Sequence, residues 1–305
     1  MKQLLYKIIY NKNVNYILRN VNKAISGVLP KKVKLPPSGT LNLKLSKNKS
    51  LIFQTNQTNY LTQLLFWNGY LNFEYTPIFL KLVKKTSTFY DIGANIGYYS
   101  LLAAAHNDRI KVVGFEPALG PLHYFKKNVA ANGYATKIKI EPIALSDGEG
   151  EIEFHETKSK KYQYLEHNLA GDGSAIKDEG GNSITRKVQT LTLDDYVRQS
   201  NETNIDLIKM DTEGTEHLIL KSAAYVLAEY KPVIICETLF NTTESQLEEI
   251  MVAHGYEFYN HVGDGLEKVT TLLREKDNGV RNCFLVHPSK YRYIEEFVLR
   301  QANPV

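Results

Sequence analysis

Acidic residues are missing from the first quarter of this 305-residue chain, where eleven Lys or Arg precede Glu74, the first carboxylate. The other 26 basic residues face 33 acidic ones, so a net charge of +4 conceals a basic arm on a body of −7. Such a split suits a phosphate-rich partner, a membrane surface or nucleic acid, and its plainer reading is a solvated, lysine-rich face. Long apolar runs are absent too. None approaches about 18 residues, so no membrane-spanning helix is expected. Lys7 interrupts the only stretch resembling a secretion-signal core, and no small-residue cleavage site follows it. Cysteine is scarce: Cys236 and Cys283 sit in separate apolar runs, which reads as two buried free thiols in a reducing cytoplasm. No G-K-[ST] occurs, which argues against a nucleoside triphosphate.

What is present organises around residues 87–97, Ser-Thr-Phe-Tyr-Asp-Ile-Gly-Ala-Asn-Ile-Gly. A short β-prone run ends at Gly93 and Gly97, and Tyr98–His106 then reads as a helix. A strand, a glycine turn and a helix N-terminus should let a ligand approach backbone N–H groups closely. The spacing is G-x-x-x-G rather than the G-x-G-x-x-G of dinucleotide binders.

Before this turn, Val14, Ile17, Val21, Ile25 and Val28 recur at helical spacing, after a shorter helix near Leu4–Ile9. The stripe lacks Trp and Phe, so packing on its own protein is expected ahead of lying on a membrane. Pro30, Pro36 and Pro37 mark a linker, and residues 41–45 and 51–55 alternate as a β-hairpin. Helices over 59–69 and 75–85 are expected to cover an edge or the mouth of the site. From residue 87 strands and helices alternate, the pattern of a doubly wound parallel sheet. It is broken by strands at 151–155 and 185–190 that flank a polar insert. The expected division is an arm and linker over 1–40, a hairpin and helices over 41–86, a main domain over 87–290 with an insert at 156–187, and a tail over 291–305, with a helix expected at 290–300.

Ligands of open α/β sheets sit beyond the carboxyl ends of the strands. Those ends carry Asp91, Glu116, the Ala144–Asp147 stretch, Asp211 with Glu213, and Glu237. Glu116 lies about twenty residues past the turn, where a carboxylate accepts the hydroxyls of a ribose. A turn without cationic residues but ringed by carboxylates suits a cationic, adenosine-bearing ligand, and S-adenosylmethionine is such a ligand.

The segments FYDIGANIGYYSLLAA, VVGFEP, PIALSDGEGEIEF, LTLDDYV and IDLIKMDTEGTEHLIL, in this order, resemble the FkbM-type S-adenosylmethionine-dependent methyltransferases over roughly 85–260. The resemblance implies a Rossmann-like class I methyltransferase fold, a seven-stranded, mostly parallel sheet with helices on both faces. It further implies transfer to a hydroxyl oxygen of a sugar, glycan or similar metabolite. Carried over, Asp91, Gly93, Ala94, Asn95 and Gly97 hold the methionine part and cofactor backbone. Glu116 with Pro117 takes the ribose, and the Ala144–Leu145–Ser146 backbone faces the adenine. Asn168 and Ser174, in NLAGDGSAI, resemble a looser Asn-Gly-Ser stretch of the family.

Methyl transfer from a sulfonium needs an aligned acceptor oxygen and a group to take its proton. Asp211, Glu213 and Glu237 are the candidates, with His217 as a further base. Asp211 and Glu237 are alternatively ligands for a divalent cation such as Mg. The plainer readings are helix capping for Asp211 and Glu213, packing for His217, and a solvated helix position for Glu216. Other admissible activities are transfer to nitrogen or nucleic acid, and cofactor binding without turnover. No (D/N)-P-P-(Y/F) tetrapeptide stands at strand four, which argues against nucleic acid. The expected location is cytoplasmic, with membrane-surface contact admitted through the basic N-terminus.

Overall fold

A polar helix face, rather than an apolar one, anchors the N-terminus. The computed structural model describes residues 1–28, 33–169 and 183–300. It begins with α1 (Lys2–Ile9) and α2 (Lys12–Ala24), of which α2 buries only Asn15, Arg19 and Asn22. The Arg19 guanidinium donates to the carbonyl oxygens of Ser38 (3.0 Å) and Thr40, and Asn15 Nδ2 donates to Pro36 O at 3.1 Å. Asn22 accepts from the Leu35 N–H at 2.8 Å and donates to Val33 O at 3.0 Å. The expectation that the apolar stripe packs inward is therefore reversed. Irregular chain at 33–38 has backbone groups that need partners, and the amide and guanidinium side chains of α2 supply them.

The hairpin forms as expected from β1 (Gly39–Lys44) and β2 (Ser50–Thr55), with Leu41, Leu43, Leu51 and Phe53 turned into the core. Next come α3 (Tyr60–Asn68), a turn at Tyr70–Asn72 and α4 (Thr76–Leu82). The main domain runs β3 (Thr88–Ile92), α5 (Tyr98–His106), β4 (Lys111–Phe115), α6 (Leu119–Ala131), β5 (Ile138–Glu141) and the short β6 (Ala144–Leu145). β7 (Gly150–Thr157) and β8 (Ser183–Leu191) pair antiparallel, and β6 joins β8 to make a three-stranded side sheet. The chain continues through α7 (Leu193–Ser200), β9 (Leu207–Met210), α8 (Glu216–Lys221), α9 (Ala224–Glu229) and β10 (Val233–Glu237). It then forms α10 (Glu244–Ala253), β11 (Glu257–Val262), β12 (Gly265–Val269) and β13 (Asn282–Val286).

The central sheet orders β12-β11-β13-β10-β9-β3-β4-β5, with β10, β9, β3, β4 and β5 mutually parallel and β13 antiparallel beside β10. This is the α/β, Rossmann-like arrangement, and the order reverses between β3 and β9. It has eight strands rather than seven, because β12 turns back on β11 and extends the edge. Residues 290–300 form short 3₁₀ turns (Pro288–Tyr293, Glu295–Phe297) instead of a regular helix. Cys236 and Cys283 stand opposite one another on β10 and β13, free and buried. No helix of the described residues is long and apolar enough to cross a membrane.

The edge of β2 is covered by α6: Asn132 Oδ1 accepts from the Ile52 N–H at 2.9 Å and Asn128 Oδ1 from the Gln54 N–H at 2.6 Å. Asn128 Nδ2 also donates to Ile96 O at 3.0 Å, so one buried amide links the hairpin to the glycine turn. In this way the N-terminal hairpin is locked to the site-bearing domain.

Candidate functional site

The glycine turn closes its own N–H groups. Gly93 and Ala94 donate to Phe115 O at 3.1 and 3.0 Å, and Gly97 donates to Ala94 O at 2.8 Å. Asn95 N–H donates to Glu116 Oε2 at 2.7 Å and Ile96 N–H to Asn95 Oδ1 at 2.9 Å. The expectation of open backbone donors is thus corrected: the turn offers a ligand no free N–H over residues 93–97. The N-terminus of α5 already has its anion. Asp91, fully buried, accepts from the Ser100 N–H (3.0 Å) and Oγ (2.7 Å) through Oδ2. A phosphate has nothing to bind here, and the helix-end field is answered by Asp91.

A buried cation completes this underside. Lys209, in the middle of the wholly buried β9, donates from Nζ to Gly93 O at 2.7 Å. It lies 3.7 Å from Asp91 Oδ1 and 3.3 Å from Asp211 Oδ2. Burial alone would depress its pKa, but the Asp211 and Asp91 charges outweigh that and hold it above the ordinary lysine value. Burial raises the Asp91 pKa, with Lys209 and the Ser100 hydrogen bonds pulling the other way.

Above the turn lies a cavity of about 280 Å³. One flank is Gly93, Asn95, Glu116 and Pro117; a second is Ala144, Leu145, Ser146 and Asp147. Phe115, Ile143, Ile152 and Phe154 give it an apolar lining, and Asp211, Thr212, Glu213 and Thr215 complete the wall. Glu116, buried, also accepts from the Ala118 N–H at 2.8 Å through Oε1. Burial pushes its pKa up to about 7 against those two backbone donors.

The sequence-derived residues divide accordingly. Gly93, Asn95, Glu116, Pro117, Ala144, Leu145, Ser146, Asp211 and Glu213 border the cavity, whereas Asp91, Ala94, Gly97, Glu237 and His217 do not. Gly97 faces the next helix: a Cβ there would meet the Phe125 ring at 2.2 Å, so this glycine sets the packing of α5 on α6. His217, the second residue of α8, leaves its buried Nδ1 without a hydrogen-bond partner and stands apart from the cavity lining. Asn168 Nδ2 donates to Thr157 O at 2.6 Å, while Ser174 lies outside the described residues.

Glu216 is not solvated, as the sequence suggested, but buried. Its carboxylate accepts from Thr212 N–H (2.6 Å), Thr212 Oγ1 (2.9 Å) and Gly214 N–H (3.1 Å), and so shapes the loop that carries Asp211 and Glu213. Glu213 is held there at φ +57°, a left-handed conformation that few non-glycine residues adopt.

Oxygens of Asp211, Glu213 and Glu237 lie within 4.8 Å of one another. Burial first, then the Asp211, Glu213 and Glu216 charges, push the Glu237 carboxyl up to about 9, and its buried Oε2 has no hydrogen-bond partner. Glu74, between the Tyr70–Asn72 turn and α4, joins from the other side. It is exposed as a residue, but its carboxylate turns inward to accept from Tyr99 Oη at 3.1 Å. Desolvation and then the Asp211 charge push it up to about 7. The helices expected to cover the mouth of the site contribute no residue to the cavity lining, and Glu74 comes from the loop between them. Sequence reasoning passed over Lys209 and Glu74. Their signals were a lone cation inside the apolar run Leu-Ile-Lys-Met, and the first carboxylate of a long basic segment.

Residues 91–258 match the protein family described as Methyltransferase FkbM domain. The chain is 28% identical over 160 residues to the AMB antimetabolite synthetase AmbE of Pseudomonas aeruginosa, covering 43% of this chain and 7% of that protein. It is also 28% identical over 153 residues to the methyltransferase sdnD of Sordaria araneosa, covering 43% of this chain and 58% of that one. It therefore spans less than two thirds of either relative. Among solved structures, the methyltransferase FkbM of Methylobacillus flagellatus aligns with 16% identity and a TM-score of 0.43, over 74% of this chain and 54% of that one. The O-methyltransferase of Bacillus cereus, in complex with SAH, aligns with 13% identity and a TM-score of 0.39, over 69% and 80%.

Proposed function

The chain belongs to the FkbM methyltransferase family, and from that premise we propose that it is an S-adenosylmethionine-dependent O-methyltransferase whose acceptor is a hydroxyl of a sugar, glycan or similar polyhydroxylated metabolite. The observation that carries the reading is the polarity of the cavity. Its turn has no free N–H for a phosphate, and Glu116, Asp211 and Glu213 all border it. That fits a ligand with a ribose, an aromatic base and a positive charge. Glu116 receives the ribose hydroxyls, the apolar lining at Phe115 and Phe154 takes the base, and Asp211 faces the charged part.

The cofactor, when bound, supplies an electrophilic methyl group on a sulfonium. The protein's own task is to orient the acceptor oxygen and remove its proton. Asp211, ion-paired with Lys209, is the group we assign to that proton. Glu237, protonated at neutral pH by its surroundings, is a hydrogen-bond donor to the acceptor oxygen. Glu213 in the cluster and Glu74 near enough to feel the Asp211 charge add further carboxylates, the chemistry that recognises several hydroxyls at once. Residues 87–290 form the catalytic unit in this reading, and 41–86 close its acceptor side through Glu74.

The three clustered carboxylates favour a second reading, in which Asp211, Glu213 and Glu237 hold a divalent cation such as Mg. Lys209 already supplies a positive charge to Asp211, so we carry the metal-free base forward. A transfer assay with labelled methyl donor against glycan and metabolite fractions, with and without chelator, separates the two. Calorimetry is expected to register S-adenosylmethionine binding that Glu116→Ala weakens about tenfold to a hundredfold, the loss of one or two charged hydrogen bonds. Absence of binding by the wild type would overturn the proposal. Asp211→Asn is expected to abolish transfer with binding near normal; unchanged turnover would remove Asp211 from the mechanism.

A further inference from the structure

The two N-terminal helices are mounted inside out. No residue of α1 is buried, and Leu4 and Ile8, one turn apart, are 65% and 54% exposed. On α2 the anchoring residues are Asn15, Arg19 and Asn22. Ile17 and Val21 each follow an anchor by two positions, about 200° around the helix. They therefore point away from the protein, 62% and 52% exposed, and Ile25 continues the row at 44%. Among the described residues this is the longest run of exposed aliphatic side chains in the sequence. Ordinary amphipathic helices of globular proteins do the opposite and turn the apolar stripe to the core.

Charge selects what covers this face. Residues 1–73 contain eleven Lys or Arg and no Asp or Glu, and Lys2, Lys12 and Lys34 on and beside the two helices are exposed. Apolar side chains flanked by lysines alone, with no acid to repel phosphate, match an anionic lipid surface, where aliphatic groups enter the acyl boundary and lysines meet headgroups. The polar anchoring through Arg19 holds α2 in this orientation before any partner arrives, so no refolding is needed on contact. We propose that α1 and α2 form a peripheral docking surface for anionic lipid bilayers, with Leu4, Ile8, Ile17, Val21 and Ile25 inserted at the interface.

The test uses the full chain and flotation with vesicles of phosphatidylcholine alone or mixed with phosphatidylserine. Wild type is expected to float with the mixed vesicles and to release as salt rises. Ile17→Asp and Val21→Asp, at positions more than half exposed, are expected to bind at least about tenfold more weakly, with unchanged melting temperature and unchanged S-adenosylmethionine binding. Equal binding by these variants, or no binding by wild type, overturns the proposal. So does light scattering that finds a wild-type dimer and an Ile17→Asp monomer, which would make the face an interface between two copies.

Discussion

Lys209 Nζ donates to the carbonyl oxygen of Gly93, in the turn that follows the neighbouring strand, at 2.7 Å, and the same ammonium lies between Asp91 and Asp211. One buried cation thereby joins the underside of the glycine turn to the strand end that carries the proposed base.

Lys209→Met would leave a buried carboxylate and a carbonyl without their cation. Removing one partner of a buried pair costs about 3–5 kcal/mol, and chemical denaturation should register a loss of that order. The pH dependence carries a sign. In the variant only the Ser100 hydrogen bonds oppose the burial that raises the Asp91 pKa, so the folded state holds a proton that the unfolded state releases above about pH 3.9. Variant stability should therefore be greatest in acid and fall as pH rises through the folded pKa. Adding Asp91→Asn should restore part of the loss at neutral pH.

Gly93→Ala tests the crossing of the turn and β9. Gly93 sits at φ +71°, and a Cβ would stand 1.9 Å from the backbone oxygen of Asp211. Strain of about 1–3 kcal/mol is a lower bound, because the neighbour is backbone and both segments must separate. S-adenosylmethionine affinity by calorimetry should fall more than for Ala94→Gly, a substitution that adds no atoms.

Glu216→Ala removes the acceptor of three donors in the 212–214 loop. Leaving them unsatisfied costs about 1–3 kcal/mol, measurable in thermal or urea unfolding. Methyl transfer should fall with it, since Asp211 and Glu213 lose their placement. Glu216→Gln keeps part of the acceptor set and should be intermediate.

Glu237 and Asp211 should respond differently to amide substitution. With its carboxyl pushed up to about 9, folded Glu237 retains a proton that the unfolded chain gives up above about 4.5. Its contribution to stability is complete below the unfolded pKa and lost as pH rises through 9. Glu237→Gln should therefore flatten that decline and exceed wild type near pH 8 by at least about 1.4 kcal/mol, the equivalent of one pKa unit. Because Gln mimics the protonated acid, transfer at neutral pH should survive in Glu237→Gln and vanish in Asp211→Asn.

Local chemistry made much of this protein legible from its residues alone. Alternating strand and helix patterns, Gly93 at a turn needing positive φ, and carboxylates at successive strand ends located the cavity, because each depends on side-chain period or on one residue's backbone freedom. An eighth strand escaped notice, since Gly265–Val269 is held by pairing with β11 rather than by its own pattern. Lys209 and Glu216 escaped because a charge in a buried strand or at a helix start has meaning only through partners brought from elsewhere. The same reason reversed α2. Its periodicity defined two faces, but the choice of buried face fell to the irregular backbone of residues 33–38, which only the folded chain brings to Asn15, Arg19 and Asn22. Sequence determined which strand ends carry the carboxylates; tertiary contacts decided which charges surround them and which helix face meets the outside.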